Sequence, residues 1–418
     1  MAATTGRAGG WRASASALLL ASVGWAGAQP ALDPAPLGRG ESAADPAARA
    51  VAELREEFGA PALGVAIVGP EETELVAVSG VRVRGVGPEV EPDDRWHLGS
   101  CGKAMTATLA AAMVHRGEVE WTTTAGEVFP GLGLIGPAAG VTLEELLAHR
   151  AGLAASKPAN PGLLQARAWM LRGPEREARL ELTRRILSLG VDDGLAGSFA
   201  YSNWNYVVAG AMLEASGGAS FAALMRERVF EPLGMGSAGW GAPGEPGSAS
   251  RAEEPWGHRA GSGRLGGAGV EPGPRADNPA PMSPAGRAHA SLDDWAAFAR
   301  EHLRAAMGRD DTLTAPADQI VRTHARFAEG DDGYALGWGV GSASFVGGRF
   351  VSHRGSNTMW MAEVIVAPEL GRAFLVATNS GGERAGELCT GALRWAVEHA
   401  REMRRGAGEP PEGSVDRE

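Results

Sequence analysis

A serine and a lysine three residues apart have the types and the spacing that could do chemistry in this chain. They are Ser100 and Lys103, in the stretch RWHLGSCGKAMTATLAAAMV that begins at Arg95. On a helix, residues i and i+3 share a face, with their Cβ atoms about 5–6 Å apart. A neutral amine there could remove the serine proton, and the apolar sequence that follows would lower the pKa of Lys103 by burying it. The alternative is an exposed lysine in a helix that a serine happens to cap.

The rarity of lysine favours the chemical interpretation. The chain has 39 Lys plus Arg, but its only lysines are Lys103 and Lys157, and Lys157 has Ala154 three residues before it. Arginine cannot replace a lysine that must lose its proton.

Two competing motifs are absent. Ala104 follows the lysine where a P-loop needs Ser or Thr, and no G-x-S-x-G occurs in the chain.

A second motif lies in the stretch FAYSNWNYVVAGAML, where Tyr201 and Asn203 precede an apolar helix. A phenol beside an ammonium has a lowered pKa, so we expect Tyr201 to relay protons to and from the serine. The amide of Asn203 offers both a donor and an acceptor to a substrate amide. The alternative is that Ser202 or Asn203 simply caps the helix, which does not require the tyrosine.

A third motif is the stretch FVSHRGSN, from Phe350 to Asn357. On a strand, His353 and Gly355 face one way and Arg354 faces the other. Glycine would let a substrate backbone lie close to the strand, and each N–H at a strand edge could stabilise an oxyanion by about 3 kcal/mol. The alternative is a plain edge strand with an exposed histidine.

These motifs, S-x-x-K, Y-x-N and H-x-G in that order, resemble those of the class C β-lactamase-like serine hydrolases and their penicillin-binding relatives. The resemblance covers roughly residues 48–400 and includes LLAHRAGL (146–153) and GYALGWGV (333–340). It implies Ser100 as the acylated nucleophile, with Lys103 and Tyr201 sharing the role of general base.

The resemblance also implies how the substrate is held. Asn203 would hold the substrate amide and the lysine, and Gly355 would keep its strand open. His353 would stand where true β-lactamases carry a lysine. The main-chain N–H groups of Ser100 and Ser356 would form the oxyanion hole.

One departure from the family bears on the substrate: the sequence has H-R-G in place of K-T-G. A lysine there binds a substrate carboxylate and stays charged at neutral pH, whereas an unperturbed histidine is mostly neutral. We therefore do not expect strong β-lactam hydrolysis. We predict a serine hydrolase that acts through an acyl-enzyme on esters or amides, with D-amino-acid peptides or β-lactam-like compounds as candidates. The alternative is a catalytically silent member that binds peptidoglycan or protein.

The order of the predicted elements indicates an α/β (α+β) fold. Strands occur near both ends of the chain and helices fill the middle, which predicts one antiparallel sheet built from both ends and flanked by helices. We expect a sheet domain from 45–120 plus 305–405 and a mostly helical insert at 121–304. Within the insert, residues 236–284 are rich in Gly and Pro and are expected to be irregular. The resemblance implies the same β-lactamase/transpeptidase-like arrangement.

The two termini carry other predictions. Residues 1–28 have Arg7 and Arg12, an apolar run and the small residues Ala26-Gly27-Ala28, which are typical of a cleaved signal peptide. An uncleaved anchor is the alternative. A linker at 29–44 and a mobile tail at 406–418 are also predicted. The expected location is secreted or periplasmic, with no transmembrane span after cleavage.

Composition limits the partners. The net charge of −11 argues against nucleic acid, and no His/Cys cluster has metal-ligand spacing. We predict no metal and no cofactor, a small-molecule or peptide substrate as the partner, and leave the oligomeric state open. The only cysteines are Cys101 and Cys389. One disulfide is possible, but two buried thiols are favoured because both lie in apolar helical patterns.

Overall fold

The computed structural model describes residues 46–157, 161–260, 265–325 and 333–406. The predicted signal peptide, the linker and the tail beyond residue 406 lie outside these ranges. The strands, in chain order, are β1 (Ala62–Val68), β2 (Thr73–Gly80), β3 (Trp96–Gly99), β4 (Gly239–Trp240), β5 (Gly257–His258), β6 (Gly269–Val270), β7 (Ala288–Ala290), β8 (Gly339–Ala343), β9 (Gly348–Ser356), β10 (Met361–Ala367) and β11 (Arg372–Thr378). The helices are α1 (Pro46–Phe58), α2 (Gly102–His115), α3 (Ala125–Val128), α4 (Leu143–Leu147), α5 (Pro161–Met170), α6 (Glu175–Ser188), α7 (Asn203–Gly217), α8 (Phe221–Met225), α9 (Ser283–Gly286), α10 (Leu292–Ala306), α11 (Ala317–Arg322) and α12 (Glu383–Gly406).

The main sheet joins the two ends of the chain. Its strand order is β2-β1-β11-β10-β9-β8, and every neighbouring pair is antiparallel. The first two strands of the chain therefore lie beside its last four, with Val65 opposite Val376. The predicted fold, an antiparallel sheet from both ends with flanking helices, is confirmed. Strand β3 belongs to a second sheet of three strands, in the order β3-β7-β4.

The main sheet is covered on both faces. All seven residues of β1 are buried, which explains its uninterrupted apolar sequence. Leu63, Val65 and Ile67 pack in the core shared with α1 and α12, and Ala66 packs on the opposite face in the core shared with α2 and α10. Burying each large aliphatic side chain contributes about 1.5–3 kcal/mol. The two cores, one on each face of the main sheet, hold β9, β10 and the start of α2 in fixed relative positions.

The stretch that resembles the family at LLAHRAGL (146–153) is not one continuous helix. Helix α4 ends at Leu147, and its N-terminus is capped by Thr142 and Glu145 in a reciprocal capping box. Beyond Leu147 the chain turns, because His149 has φ +58° and Gly152 has φ +61°. Between residues 236 and 284, the described residues form two-residue strands and short helical turns. The proposed boundary between sheet domain and insert stays a prediction.

Across the described ranges, no single helix has the length and apolar character needed to cross a membrane. Only α7 and the segment Phe221–Phe230 satisfy that criterion together, and they are bent by 78° at their junction.

Candidate active site

Ser100 lies in the tight turn between β3 and α2 and is partly exposed. The residue that caps α2 is Cys101, which makes no side-chain capping bond, so the alternative of Ser100 as an N-cap is wrong. Gly99 has φ +52°, and a Cβ at this position would lie 2.4 Å from the main-chain nitrogen of Ser356. Only glycine fits both the left-handed turn and this contact.

Lys103 is fully buried beneath Ser100. Its Nζ is 3.0 Å from Ser100 Oγ and 2.7 Å from Asn203 Oδ1, and it also donates to the carbonyl of Ala285. Burial lowers the pKa of Lys103 to about 7, and the Cys101 thiol opposes this shift slightly. As predicted, the side chains of Ser100 and Lys103 lie on the same side of the helix start, and they are in direct contact. Near neutral pH, a large fraction of the amine is uncharged.

Tyr201 stands over the same amine, with Lys103 Nζ 4.9 Å from its ring centroid. Its Oη is buried, and no group among the described residues meets both the distance and the angle of a hydrogen bond with it. Burial raises the pKa of Tyr201, although the Ser100 hydroxyl is close enough to oppose the rise. The prediction of a lowered phenol pKa is wrong, because burial disfavours the phenolate. Tyr201 is a neutral phenol that can donate and accept a proton.

The two other tyrosines of the chain also converge here, which the sequence analysis missed. The rings of Tyr201, Tyr206 and Tyr334 lie 4.4, 5.1 and 5.0 Å from the ring of His149, measured between centroids. Burial and the nearby Lys103 hold the pKa of His149 well below its ordinary value. The cluster is therefore uncharged. The scarcity of tyrosine was a pattern that could have pointed to it.

His353 is buried and turned away from the cleft opening. Its Nε2 accepts a hydrogen bond from Tyr334 Oη at 3.0 Å, and its Nδ1 donates to the carbonyl of Arg354 at 2.9 Å. Burial, with a contribution from Lys103, lowers the pKa of His353 to about 3. The alternative of an exposed histidine on an edge strand is wrong, since the residue is only 6% exposed. That it stands where true β-lactamases carry a lysine stays a prediction.

Gly355 is required by the protein backbone. A Cβ at Gly355 would lie 2.0 Å from the carbonyl oxygen of Leu98 and 2.6 Å from the nitrogen of Ser100. The turn that carries Ser100 therefore requires this glycine, and the expectation that it also lets a substrate backbone lie close to the strand stays a prediction. The pairing of β9 with β8 ends at Ser352, so the last residues of β9 are free to meet that turn. The main-chain nitrogens of Ser100 and Ser356 are thus brought to the same place.

A cleft of about 220 Å³ opens above Ser100. Its lining residues are uncharged side chains and main chain: Ser100, Asn203, Asn278, Met282, Ala285, Gly286, Ser356, Asn357 and Thr358. Asn278 and Met282 come from the Gly- and Pro-rich region 236–284. In the described part of the chain, the cleft is polar and presents no formal charge to a ligand.

Comparison with known proteins shows the family of this chain. The sequence model of the β-lactamase family matches residues 47–394. The chain is 28% identical to penicillin-binding protein 4 of Amycolatopsis lactamdurans over 343 residues, covering 78% of this chain and 83% of that protein. It is 24% identical to the unguisins hydrolase ungD′ of Aspergillus campestris, covering 80% of this chain but only 61% of that protein. The octameric penicillin-binding protein homologue of Pyrococcus abyssi superposes with a TM-score of 0.64 at 19% identity, covering 88% of this chain and 78% of that one.

The chain belongs to the β-lactamase family. The prediction of a serine hydrolase of this family, made from the three motifs, is confirmed, and so is the predicted resemblance to penicillin-binding proteins.

Proposed function

We propose that the protein hydrolyses uncharged esters or amides, peptide amides included, through an acyl-enzyme on Ser100. The observation that carries the proposal is the contact of 3.0 Å between Ser100 Oγ and the buried amine of Lys103, whose pKa is about 7. A serine hydroxyl becomes a nucleophile when such a base can take its proton. The names of the relatives support amide and peptide substrates, since one is a penicillin-binding protein and another hydrolyses unguisins.

The proposed acylation uses Ser100, Lys103 and Tyr201. Ser100 Oγ bonds to the substrate carbonyl carbon while its proton passes to Lys103, with Tyr201 as the relay. The carbonyl oxygen becomes an oxyanion against the N–H groups of Ser100 and Ser356. When the carbonyl re-forms, the bond to the leaving group breaks, and Tyr201 passes the proton to that group. Asn203 holds both the lysine and the substrate amide.

Deacylation runs the same steps with water. Lys103 and Tyr201 take a proton from the attacking water, the oxyanion forms again, and Ser100 leaves with that proton restored. The products are a carboxylic acid and the free enzyme. No group beyond the described side chains and main chain is needed for this balance.

The uncharged lining favours a substrate without a free carboxylate beside the scissile bond. His353 is neutral and bonded to Tyr334, so it does not replace the cation that binds a carboxylate in K-T-G enzymes. We therefore expect neutral p-nitrophenyl esters and amino-acid amides to react faster than nitrocefin, whose ring carries a carboxylate.

The test is fluorophosphonate labelling of the wild type and of Ser100→Ala, followed by a panel of p-nitrophenyl esters, D- and L-amino-acid amides and nitrocefin. We expect label and turnover in the wild type and neither in the alanine variant. Persistent labelling of Ser100→Ala would remove Ser100 as the nucleophile. A wild type that takes no label and turns over no substrate would favour a silent binding module.

We also propose that the protein is exported, which the sequence of residues 1–28 supports. Expression in a bacterial host with an export pathway should give a mature chain that begins at Gln29. A chain that keeps residues 1–28 would contradict the proposal.

A further inference from the structure

A bridge of buried polar side chains connects the two sides of the proposed oxyanion hole. It consists of His97, Asp277 and Asn357, and none of them is one of the named positions of S-x-x-K, Y-x-N or H-x-G. His97 lies on β3, two residues before Gly99, and Asn357 directly follows Ser356. We infer that this bridge sets the spacing between the main-chain N–H groups of Ser100 and Ser356, with His97 and Asp277 as positioning residues. The inference rests on the function proposed above.

One end of the bridge holds the turn that carries the nucleophile. His97 is 1% exposed, and its Nδ1 accepts the N–H of Gly99 at 3.1 Å. Because Nδ1 accepts, the proton of the neutral ring lies on Nε2, which is 2.9 Å from Asp277 Oδ1. The ring also stacks on Trp360, with 5.3 Å between centroids. His97 is therefore fixed in one tautomer and one orientation. It bonds the main chain and not Ser100 Oγ, so it is not the general base.

The other end holds the start of the loop after β9. Asp277 is 5% exposed and accepts a hydrogen bond from Asn357 Nδ2 at 3.1 Å. Burial opposes ionisation of Asp277, but His97, Arg287 and Asn357 together keep its pKa below the ordinary value. Arg287 Nε lies 3.3 Å from the second carboxylate oxygen. Asn357 in turn accepts the N–H groups of Met359 and Trp360, which shapes the loop beside Ser356.

Packing of the core alone does not require a buried Asp277 carboxylate with these polar partners. A buried carboxylate costs several kcal/mol unless it is paired and hydrogen-bonded, and here its partners are a neutral imidazole, an amide and one arginine. Of these partners, His97 accepts the N–H of Gly99, which precedes Ser100, and Asn357 directly follows Ser356. Displacing either donor by a fraction of an ångström would weaken transition-state stabilisation, since such donors act only at 2.7–3.1 Å from the oxyanion.

Two substitutions of His97 separate its hydrogen bond with Gly99 from its close contact with Asp277. In His97→Asn, the side-chain oxygen can occupy the place of Nδ1 and accept the N–H of Gly99, but the side chain does not reach Asp277. In His97→Gln, the amide nitrogen can occupy the place of Nε2 and keep Asp277, but the acceptor for Gly99 is lost. Asp277→Asn removes the charge while keeping the shape. The matched control is His302→Gln, because His302 is also fully buried and its Nε2 lies 2.9 Å from Thr108 Oγ1, away from the cleft lining.

The experiment measures kcat and KM with a p-nitrophenyl ester, with active sites counted from the acylation burst. We expect kcat to fall by about 10- to 100-fold in His97→Gln and Asp277→Asn, with KM within about threefold, because the bridge acts on the transition state. The double variant His97→Gln/Asp277→Asn should lose little more kcat than either single variant, because both substitutions break the same bridge. His302→Gln should lower the midpoint of thermal unfolding yet keep kcat within about twofold. An equal loss of kcat in His302→Gln, or an unchanged kcat in both bridge variants, would overturn the inference.

A second measurement does not depend on turnover. Hydrogen exchange of the amides in the peptide that spans residues 97–101 should speed up in His97→Gln and stay slow in His97→Asn. Equal exchange in these two variants would overturn the role of the Gly99 bond. If the wild type showed no Ser100-dependent turnover, the proposed function would fail while this measurement still decided whether the bridge holds the turn.

Discussion

The surroundings of Lys103 match the bonding capacity of a neutral primary amine, which has two hydrogens and one lone pair. Two of its three neighbours, the Asn203 amide oxygen and the Ala285 carbonyl, can only accept a hydrogen bond. The third, Ser100 Oγ, carries a proton that it can donate. The neutral amine therefore donates its two N–H groups to these acceptors. Its lone pair can then accept a hydrogen bond from the Ser100 hydroxyl. This orientation is what a general base for Ser100 requires.

The first prediction concerns the dependence of rate on pH. With Lys103 as the proposed base, the active form needs the amine neutral. Because the pKa of Lys103 is about 7, we expect kcat/KM to rise tenfold per pH unit below about pH 6 and to level off above about pH 8. The measurement is ester hydrolysis from pH 5 to 9, corrected for spontaneous hydrolysis with Ser100→Ala. A profile that is flat from pH 5.5 to 8.5 would rule out Lys103 as the base. Lys103→Arg should lose orders of magnitude in rate, since guanidinium keeps its proton.

The second prediction concerns stability. The pKa of Lys103 falls from an ordinary 10.5 to about 7 on folding, so the unfolded chain binds the extra proton between these values. Burying the lysine therefore costs about 4 kcal/mol at pH 7, and the cost fades as pH rises towards 10.5. Lys103→Met should be more stable than the wild type at pH 7, and the difference in free energy of unfolding should shrink by pH 10. Chemical denaturation at both pH values measures it, and a difference independent of pH would contradict the depressed pKa.

At the scale of elements, the site depends on two glycines that let a strand end touch a turn. The end of β9 meets the turn between β3 and α2 through Gly355 and Gly99. The contact is possible because β8 is shorter than β9 and leaves the last residues of β9 without a partner on that side. Both proposed oxyanion donors come from this contact, one from each element.

The third prediction tests that contact. Gly355→Ala would place a methyl group 2.0 Å from a carbonyl oxygen, so either the strand or the turn must move. We expect a loss of at least 100-fold in kcat and a destabilisation of about 1–3 kcal/mol from overpacking. The control is Gly391→Ala on α12, where nothing lies within 4 Å of the added methyl group. That variant should gain about 0.5–1 kcal/mol from helix propensity and keep full activity. A fully active Gly355→Ala would refute the role of this contact.

At the scale of the whole molecule, the sheet separates two cores that contain one cysteine each. Cys101 packs on the side of α2, and Cys389 packs on the side of α12. Both are free and buried, which confirms the favoured prediction of two thiols. Burial raises the pKa of each thiol, so neither is a ready nucleophile.

The fourth prediction follows from this burial. A thiol reagent should modify no cysteine in the native protein and two in denaturant without reductant. Reductant should leave the midpoint of unfolding unchanged. Finding no reactive thiol in denaturant would show a disulfide and contradict the arrangement of the two cores.

The sequence by itself determined whatever depends on local periodicity. The spacing of Ser100 and Lys103 put them on one face, because the helical repeat is the same in every context. Alternation along the strands and caps such as Ser291 and Ser202 placed most elements. Three short motifs in order were enough to identify the family, since each carries its own chemistry.

Only the tertiary structure decided the properties that arise where distant segments meet. The pKa values of Lys103 and Tyr201 depend on how completely distant elements exclude water from these side chains. A local sequence pattern does not contain that information. The direction of His353 depended on where Tyr334 lies, and the need for Gly355 depended on the turn at Leu98. The bridge from His97 to Asp277 spans 180 positions of sequence, so it became visible only when β3 and the segment before α9 were brought together.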